Sequence, residues 1–139
     1  MKQILTIAGS DSGGGAGIQA DIKSIHANGG FAISAITSVT AQNTCEVTSA
    51  FDLPLEIIEA QIDAVFADFE VSAVKTGMLS NAEIVQTVAK KLDQYSPPKI
   101  VVDPVMISKS GFPLLQESAI ETIISNLIPL ATVLTPNIH

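Results

Sequence analysis

Short apolar runs alternate along the chain with longer stretches in which apolar residues recur every three or four positions. The runs read as strands and the stretches as helices. Strands are predicted at 4–8, 31–39, 73–76, 100–102 and 132–134, with a short edge strand at 47–51. Residues 17–28 read as a helix with Ile18, Ile22 and Ile25 on one face. Pro54 opens a second helix, whose stripe is Leu55, Ile58, Ile62, Val65, Phe66 and Phe69. A third turns Ile84, Val85, Val88 and Leu92 inward, and a fourth covers 118–127. Ser80 with Glu83, and Ser118 with Glu121, have the spacing of a capping box and predict the starts of these last two. Gly29-Gly30 and Pro97-Pro98 punctuate the pattern. Strands alternating with helices predict an α/β fold with a mostly parallel sheet, right-handed crossovers and helices on its faces. No internal repeat, linker or boundary interrupts residues 1–139, which read as one unit.

In such a sheet, ligands bind beyond the carboxyl ends of the strands. Those ends carry Gly9-Ser10-Asp11-Ser12, Gln42-Asn43, Thr76-Gly77-Met78, Asp103-Pro104-Val105-Met106 and Thr135-Pro136-Asn137. Small, polar and acidic residues recur there. The opposite ends hold spacers such as Asn28-Gly29-Gly30 and Ser96-Pro97-Pro98. This asymmetry places a candidate site at one rim of the sheet.

Composition narrows the class. The 139 residues are 47% apolar and only 15% charged, with a net charge of −7. The apolar content excludes a disordered chain, and the acidity argues against nucleic acid as a partner. A single cysteine, Cys45, excludes a disulfide framework and suits a cytoplasmic setting. No apolar run reaches the roughly 18 residues that span a bilayer, so no membrane partner is expected. The amino terminus reads as the start of a strand and lacks the core of a signal peptide. So apolar a chain should expose greasy surface if it stands alone, which points to an oligomer or to part of a larger domain.

Five of the nine residues in the segment from Gly9 to Gly17 are glycines, set between a strand and a helix. Glycine lets backbone approach a ligand and leaves N–H groups open to it; the alternative is a plain tight turn. No Lys-Ser or Lys-Thr follows at P-loop spacing. Gly15-Ala16-Gly17-Ile18-Gln19-Ala20 fits the loose dinucleotide pattern, but the second strand carries no acid to hold a ribose, which disfavours a dinucleotide oxidoreductase. Asp21 lies about 60° from Ile18 around the next helix, close enough to the apolar stripe to need a partner. That partner is a ligand, or else Lys23 or water. Gln42 and Asn43 offer amides, which suit a pyrimidine edge, or else serve the turn. Met78 could lie flat on a heterocycle or simply fill the core. Asp103 could hold Mg²⁺ near phosphates or cap a turn. Ser108-Lys109-Ser110-Gly111 could cover a site or be an ordinary surface loop.

The blocks AGSDSGGGAGIQADIKSI, SVTAQNT, KTGML, VVDPVMISKSG and LTPN, in this order, resemble the bacterial hydroxymethylpyrimidine/phosphomethylpyrimidine kinases of thiamine biosynthesis. The resemblance implies a ribokinase-like three-layer α/β sandwich, here ending after the fifth main strand. It makes residues 1–139 the N-terminal, substrate-binding part of a single kinase domain. It further implies ATP and Mg²⁺, and two successive phosphorylations of an aminopyrimidine. By position, Asp21 and Gln42 would bond the aminopyrimidine edge, and Gly9, Ala16, Met78 and Val105 would wall the ring. Asp103 would lie near Mg²⁺, with Asn137 in the same phosphate environment. The catalytic base is expected beyond His139, so a chain ending there is expected to lack kinase activity. A homodimer is expected of the full-length form. The alternatives are a pyridoxal or pyridoxine kinase of the same superfamily, and a non-catalytic small-molecule-binding fragment.

Overall fold

The computed structural model describes residues 1–105, 111 and 115–137. Met106, the segment Ser108-Lys109-Ser110 and His139 lie outside the described residues. The strands are β1 (Gln3–Asp11), β2 (Phe31–Gln42), β3 (Val47–Asp52), β4 (Val71–Thr76), β5 (Ile100–Val102) and β6 (Val133–Leu134). The α-helices are α1 (Gly17–Ala27), α2 (Leu55–Asp68), α3 (Ala82–Tyr95) and α4 (Glu117–Thr122). One sheet holds the strands in the order β3-β2-β1-β4-β5-β6. Its neighbours are parallel, except that β3 runs antiparallel to β2.

Successive side chains of a strand point to opposite faces. In β1, Leu5 and Ile7 are fully buried among Ile58 and Ile62 of α2, Val85 and Val88 of α3 and Ala119 of α4. Thr6 points the other way and donates a hydrogen bond to Asp21 of α1 at 2.6 Å. Helix α1 therefore covers one face of the sheet and α2, α3 and α4 the other, giving three layers. From β1 the chain steps outward to β2 through α1. The later strands step out on the other side of β1, through helices on the other face. Changing direction and face together keeps the crossover hand constant. The strand order reverses between β1 and β4, and connections diverge there to leave a crevice.

Strands β1 and β2 run further than their apolar stretches. Ser10 and Asp11 pair with Val39 and Thr40, after a register shift at Gly9. Backbone pairing rather than side-chain burial extends them, so the first part of the glycine segment is strand and not turn. Gly29 and Gly30 do stop α1. The Gly30 N–H donates to the Ile25 carbonyl at 2.9 Å and the Gly29 N–H to that of His26 at 3.0 Å. Gly29 sits at φ +79, where a side chain is disfavoured.

Both capping-box expectations are corrected. Asn81, not Ser80, caps α3, its Oδ1 accepting the Ile84 N–H at 2.9 Å. Helix α4 starts at Glu117 with no side-chain cap bond, ahead of Ser118. Nor is 118–127 one α-helix. The turn at Ile123–Leu127 widens to π geometry, and Ile128–Leu130 tightens to 3₁₀. Pro129 explains the change: it has no N–H for the carbonyl four residues back, and its ring crowds that carbonyl. The Ser125 hydroxyl bonds the Glu121 carbonyl at 2.7 Å, which further loosens the ladder.

Apolar surface is left open, as the composition suggests. Val39 and Phe51, paired across β2 and β3, are exposed, as are Val133 and Leu134 of β6.

Helices α2 and α3 are joined by a polar trio beside their apolar seam. Lys91 reaches Asp63 at 2.8 Å, the Tyr95 hydroxyl donates to the same carboxylate at 2.6 Å, and the Tyr95 ring stacks on Phe66. The hydrogen bonds from Lys91, then Tyr95, hold the Asp63 carboxyl below its ordinary 3.8. Asp63 in turn raises Lys91 and Tyr95. A depressed carboxyl stabilises the fold above its unfolded pKa, and that contribution goes as pH falls through the lower folded value. The raised pair lose theirs only in the alkaline range. Because Asp63 is half exposed, the effect is modest: Asp63→Asn should lower Tm at pH 7 by about 2–4 °C. The difference from the parent should close below pH 3.8. Thermal melts at pH 7 and in the acid range check this; an undiminished gap in acid would refute it.

Candidate functional site

A cleft of about 600 Å³ opens at the carboxyl rim, where the strand order reverses. Gly9 and Ala16 reach it from the glycine segment, Asp21 from α1 and Gln42 from the end of β2. Met78 follows β4, Asp103 and Val105 follow β5, and Asn137 follows β6. All eight residues to which the resemblance gives a site role thus line one cleft. A second depression of about 490 Å³, wide open to solvent, lies at the opposite rim among Met1, Lys2, Gln3, Asp68, Glu70 and Ser72. It contains none of them.

The glycine segment differs from expectation. Asp11 is 4% exposed and folds back into its own loop. Its Oδ1 accepts the Gly13 N–H at 2.7 Å, and its Oδ2 accepts those of Gly15 and Ala16 at 2.9 and 2.8 Å. The loop carries its own anion, and these three N–H groups are spent on it rather than open to a ligand. What the segment gives the cleft is shape. Gly17 lies at φ +57, so close to the Gly9 carbonyl that a Cβ would collide with it. Gln19 clamps the base of the loop, accepting from the Asp11 N–H and donating to the Ser10 hydroxyl, both at 2.8 Å. The Ser12 hydroxyl accepts from the Gln42 N–H at 2.7 Å and donates to the Gln42 carbonyl at 2.5 Å, tying the loop to β2.

Asp21 has its partner, but not Lys23. Lys75 of β4 places Nζ 3.0 and 2.9 Å from its two oxygens, and Thr6 adds the bond at 2.6 Å. Lys23 donates instead to the Gly14 carbonyl at 2.7 Å. The face of α1 turned to the sheet therefore runs through Ile18 and Asp21, and Ile22 is 37% exposed. The Lys75 ammonium also lies 3.7 Å from Asp103 Oδ2, so a row of carboxylate, ammonium and carboxylate crosses the cleft. Gly77 makes room for it: a Cβ there would lie 2.8 Å from Ala8 Cβ and 3.1 Å from Lys75 Nζ.

Met78 is buried against Gly9, where a Cβ would come within 2.6 Å of its methyl carbon. It both fills the core and walls the cleft. The Thr40 hydroxyl donates to the Ser10 carbonyl at 2.7 Å and also lies 3.2 Å from Gln42 Oε1; the Gln42 carboxamide, which offers both a donor and an acceptor, lines the cleft. Asn43 serves the turn: its Oδ1 accepts the N–H groups of Cys45 and Glu46 at 2.8 and 3.0 Å.

Asp11 and Lys75, like the cleft-lining Thr40 and Glu46, were given no role from the sequence. A lysine inside an otherwise apolar strand was the available signal, since lysine is rarely buried without a partner. Nothing marked Asp11 off from the small residues around it.

The chain is 54% identical over 138 residues to the hydroxymethylpyrimidine/phosphomethylpyrimidine kinase of Haemophilus influenzae, covering 99% of this chain and 51% of that one. With its namesake from Bacillus subtilis the identity is 52%, at the same coverage. The crystal structure of phosphomethylpyrimidine kinase from Clostridium difficile aligns with a TM-score of 0.93 at 54% identity, over 99% of this chain and 60% of that one. The pyridoxal kinase of Staphylococcus aureus in complex with pyridoxal aligns at 0.87 with 33% identity, over 99% and 49%. It has also been solved in complex with AMP-PCP and pyridoxal. The chain spans about half the length of the curated relatives it matches. The three-layer fold is thus the ribokinase-like one shared by these kinases. The phosphomethylpyrimidine kinase family model matches residues 11–139, and the chain belongs to that family.

Asp11→Ala would strip three N–H groups of their acceptor. It should cost about 1–3 kcal/mol in denaturant unfolding. It should also speed amide hydrogen exchange at Gly13, Gly15 and Ala16. Unchanged exchange at these three would contradict the role given to Asp11.

Proposed function

We propose that this chain forms the substrate-binding half of an ATP-dependent kinase. The whole protein would phosphorylate 4-amino-5-hydroxymethyl-2-methylpyrimidine on its hydroxymethyl oxygen, and then phosphorylate the monophosphate to the diphosphate. The observation that carries this reading is the placing of a carboxylate acceptor, Asp21, and a carboxamide able to donate, Gln42, on one cleft. The edge of a 4-aminopyrimidine presents the complement, an exocyclic N–H beside a ring nitrogen. Met78 and Val105 supply apolar surface for the ring, and Gly9 and Ala16 let it lie close to the backbone.

Asp11, Asp21, Glu46 and Asp103 line the cleft against a single cation among the described residues, Lys75. Polyphosphate would be repelled there without added positive charge. The donor set suits Mg²⁺. Asp103 offers a partly exposed carboxylate and Asn137 a carboxamide at the same rim. Mg²⁺ commonly takes one or two carboxylates and completes its shell with phosphate and water. Bound there, the ion would neutralise phosphate charge. The chain's own residues bind and orient the pyrimidine, and catalysis of this kind rests on positioning and charge stabilisation. The hydroxyl-activating base belongs to the remainder of the protein in this reading, as does most of the ATP pocket. Among the described residues no helix is long and apolar enough to cross a membrane. A cytoplasmic setting and a homodimeric whole protein are part of the same proposal.

The rival substrate is pyridoxal, which the S. aureus neighbour binds. The whole protein should convert the aminopyrimidine with ATP and Mg²⁺ to mono- and then diphosphate, followed by ³¹P NMR, in preference to pyridoxal. Gln42→Ala should raise KM for the pyrimidine by about tenfold or more, with a smaller change in kcat. Preference for pyridoxal, or no turnover of the pyrimidine, would overturn the proposal.

A further inference from the structure

We propose that Lys75 is a specificity-setting positioning residue. It acts through Asp21 to present one fixed, charged acceptor to the ligand. The cleft then takes a ring edge carrying an N–H donor and turns away the same ring with a carbonyl in its place. The inference rests on the aminopyrimidine reading above and adds to it the device that enforces the choice.

An ionised carboxylate has about four acceptor positions. On Asp21, Lys75 occupies one on each oxygen, at 3.0 and 2.9 Å, and Thr6 takes a second on Oδ2 at 2.6 Å. One position remains, on Oδ1. The clamp itself is rigid. Thr6 is fully buried in β1. Lys75 rises from β4, and its Nζ fits beside Gly77, where even a Cβ would lie at 3.1 Å. Two adjacent parallel strands thus fix the carboxylate of a helix residue from below. The side chains of Lys75 and Asp21 remain 24% and 18% exposed, and both line the cleft. Asp103 stands 3.7 Å from the ammonium, beyond hydrogen-bond reach but close enough to feel its charge. Lys75 is thus the shared counter-charge of two carboxylates. Without it Asp21 would keep only the Thr6 bond on Oδ2, Oδ1 would gather water, and its acceptor would be neither single nor aimed.

A binding cycle on the whole protein tests this. Isothermal titration would measure the affinity of 4-amino-5-hydroxymethyl-2-methylpyrimidine and of its 4-oxo analogue. The proteins are the parent, Lys75→Met, Asp21→Asn and the double variant. The parent should prefer the amine by at least about tenfold. Lys75→Met should lose about tenfold in amine affinity and most of that preference. In the Asp21→Asn background the same change should alter affinity by less than about twofold, because the effect runs through Asp21. Unchanged preference in Lys75→Met would overturn the inference. So would a loss that persists undiminished in the Asp21→Asn background, which would make Lys75 a direct ligand contact. If the parent binds neither pyrimidine, the proposed function fails first, and the inference with it. Should Lys75→Met not fold, Lys75→Gln, which keeps a donor of similar reach without the charge, takes its place in the cycle. Circular dichroism melts establish that each variant is folded.

Discussion

The cleft exists because the chain reverses its direction of travel across the sheet between β1 and β4. Parallel strands need crossovers of one hand, so a change of direction forces the connecting helices onto opposite faces. Helix α1 leaves β1 on one face, while the segment after β4 leads to α3 on the other. Among the described residues no connection covers the space between these two strand ends. Every residue of the site is at the carboxyl end of a strand, or on the helix that follows, and is therefore delivered to the same gap.

Two carboxylates with different duties hold that gap in shape. Asp11 is sealed in its loop by three backbone N–H groups and one strand pairing, and it sets the contour of the glycine wall. Asp21 is held by Lys75 and Thr6 but still reaches the cleft. The first is neutralised by dipoles and the second by a cation. A charge buried among fixed dipoles makes a rigid element, whereas one paired with a part-exposed ammonium keeps an acceptor for a guest. The glycine segment is thus a moulded wall rather than an anion hole. An anionic group in this cleft meets a predominantly acidic lining, which is why a divalent cation belongs to the proposed chemistry.

Much of this was legible in the residue pattern. The strands and helices follow from apolar period, because burial against a sheet face selects the same residues that create the period. The rim asymmetry named Gly9, Gln42, Met78 and Asp103 as candidates, because small and acidic residues at strand ends have no packing reason to cluster, and the position of Asp21 beside the apolar stripe of its helix marked it separately. Element ends were read less well. Gly9, Ser10 and Asp11 extend β1 through backbone pairing, which leaves no mark on side-chain pattern. Asn81 took the cap that Ser80 and Glu83 advertised, a difference of one residue, its extended backbone turning Oδ1 onto the Ile84 N–H. Pro129 could have been read as the end of the last regular turn.

By itself the sequence determined the α/β architecture, the order of its elements and the rim on which a site had to lie. These depend on local period and on chain connectivity, both written along one dimension. The tertiary structure alone decided that Lys75, and not Lys23, partners Asp21, since the two residues are far apart in the chain and meet only because β4 lies beside β1. It alone decided that the loop N–H groups turn to Asp11. Which acceptor a donor finds is settled by a few tenths of a nanometre in space, a distance that no spacing along the chain records.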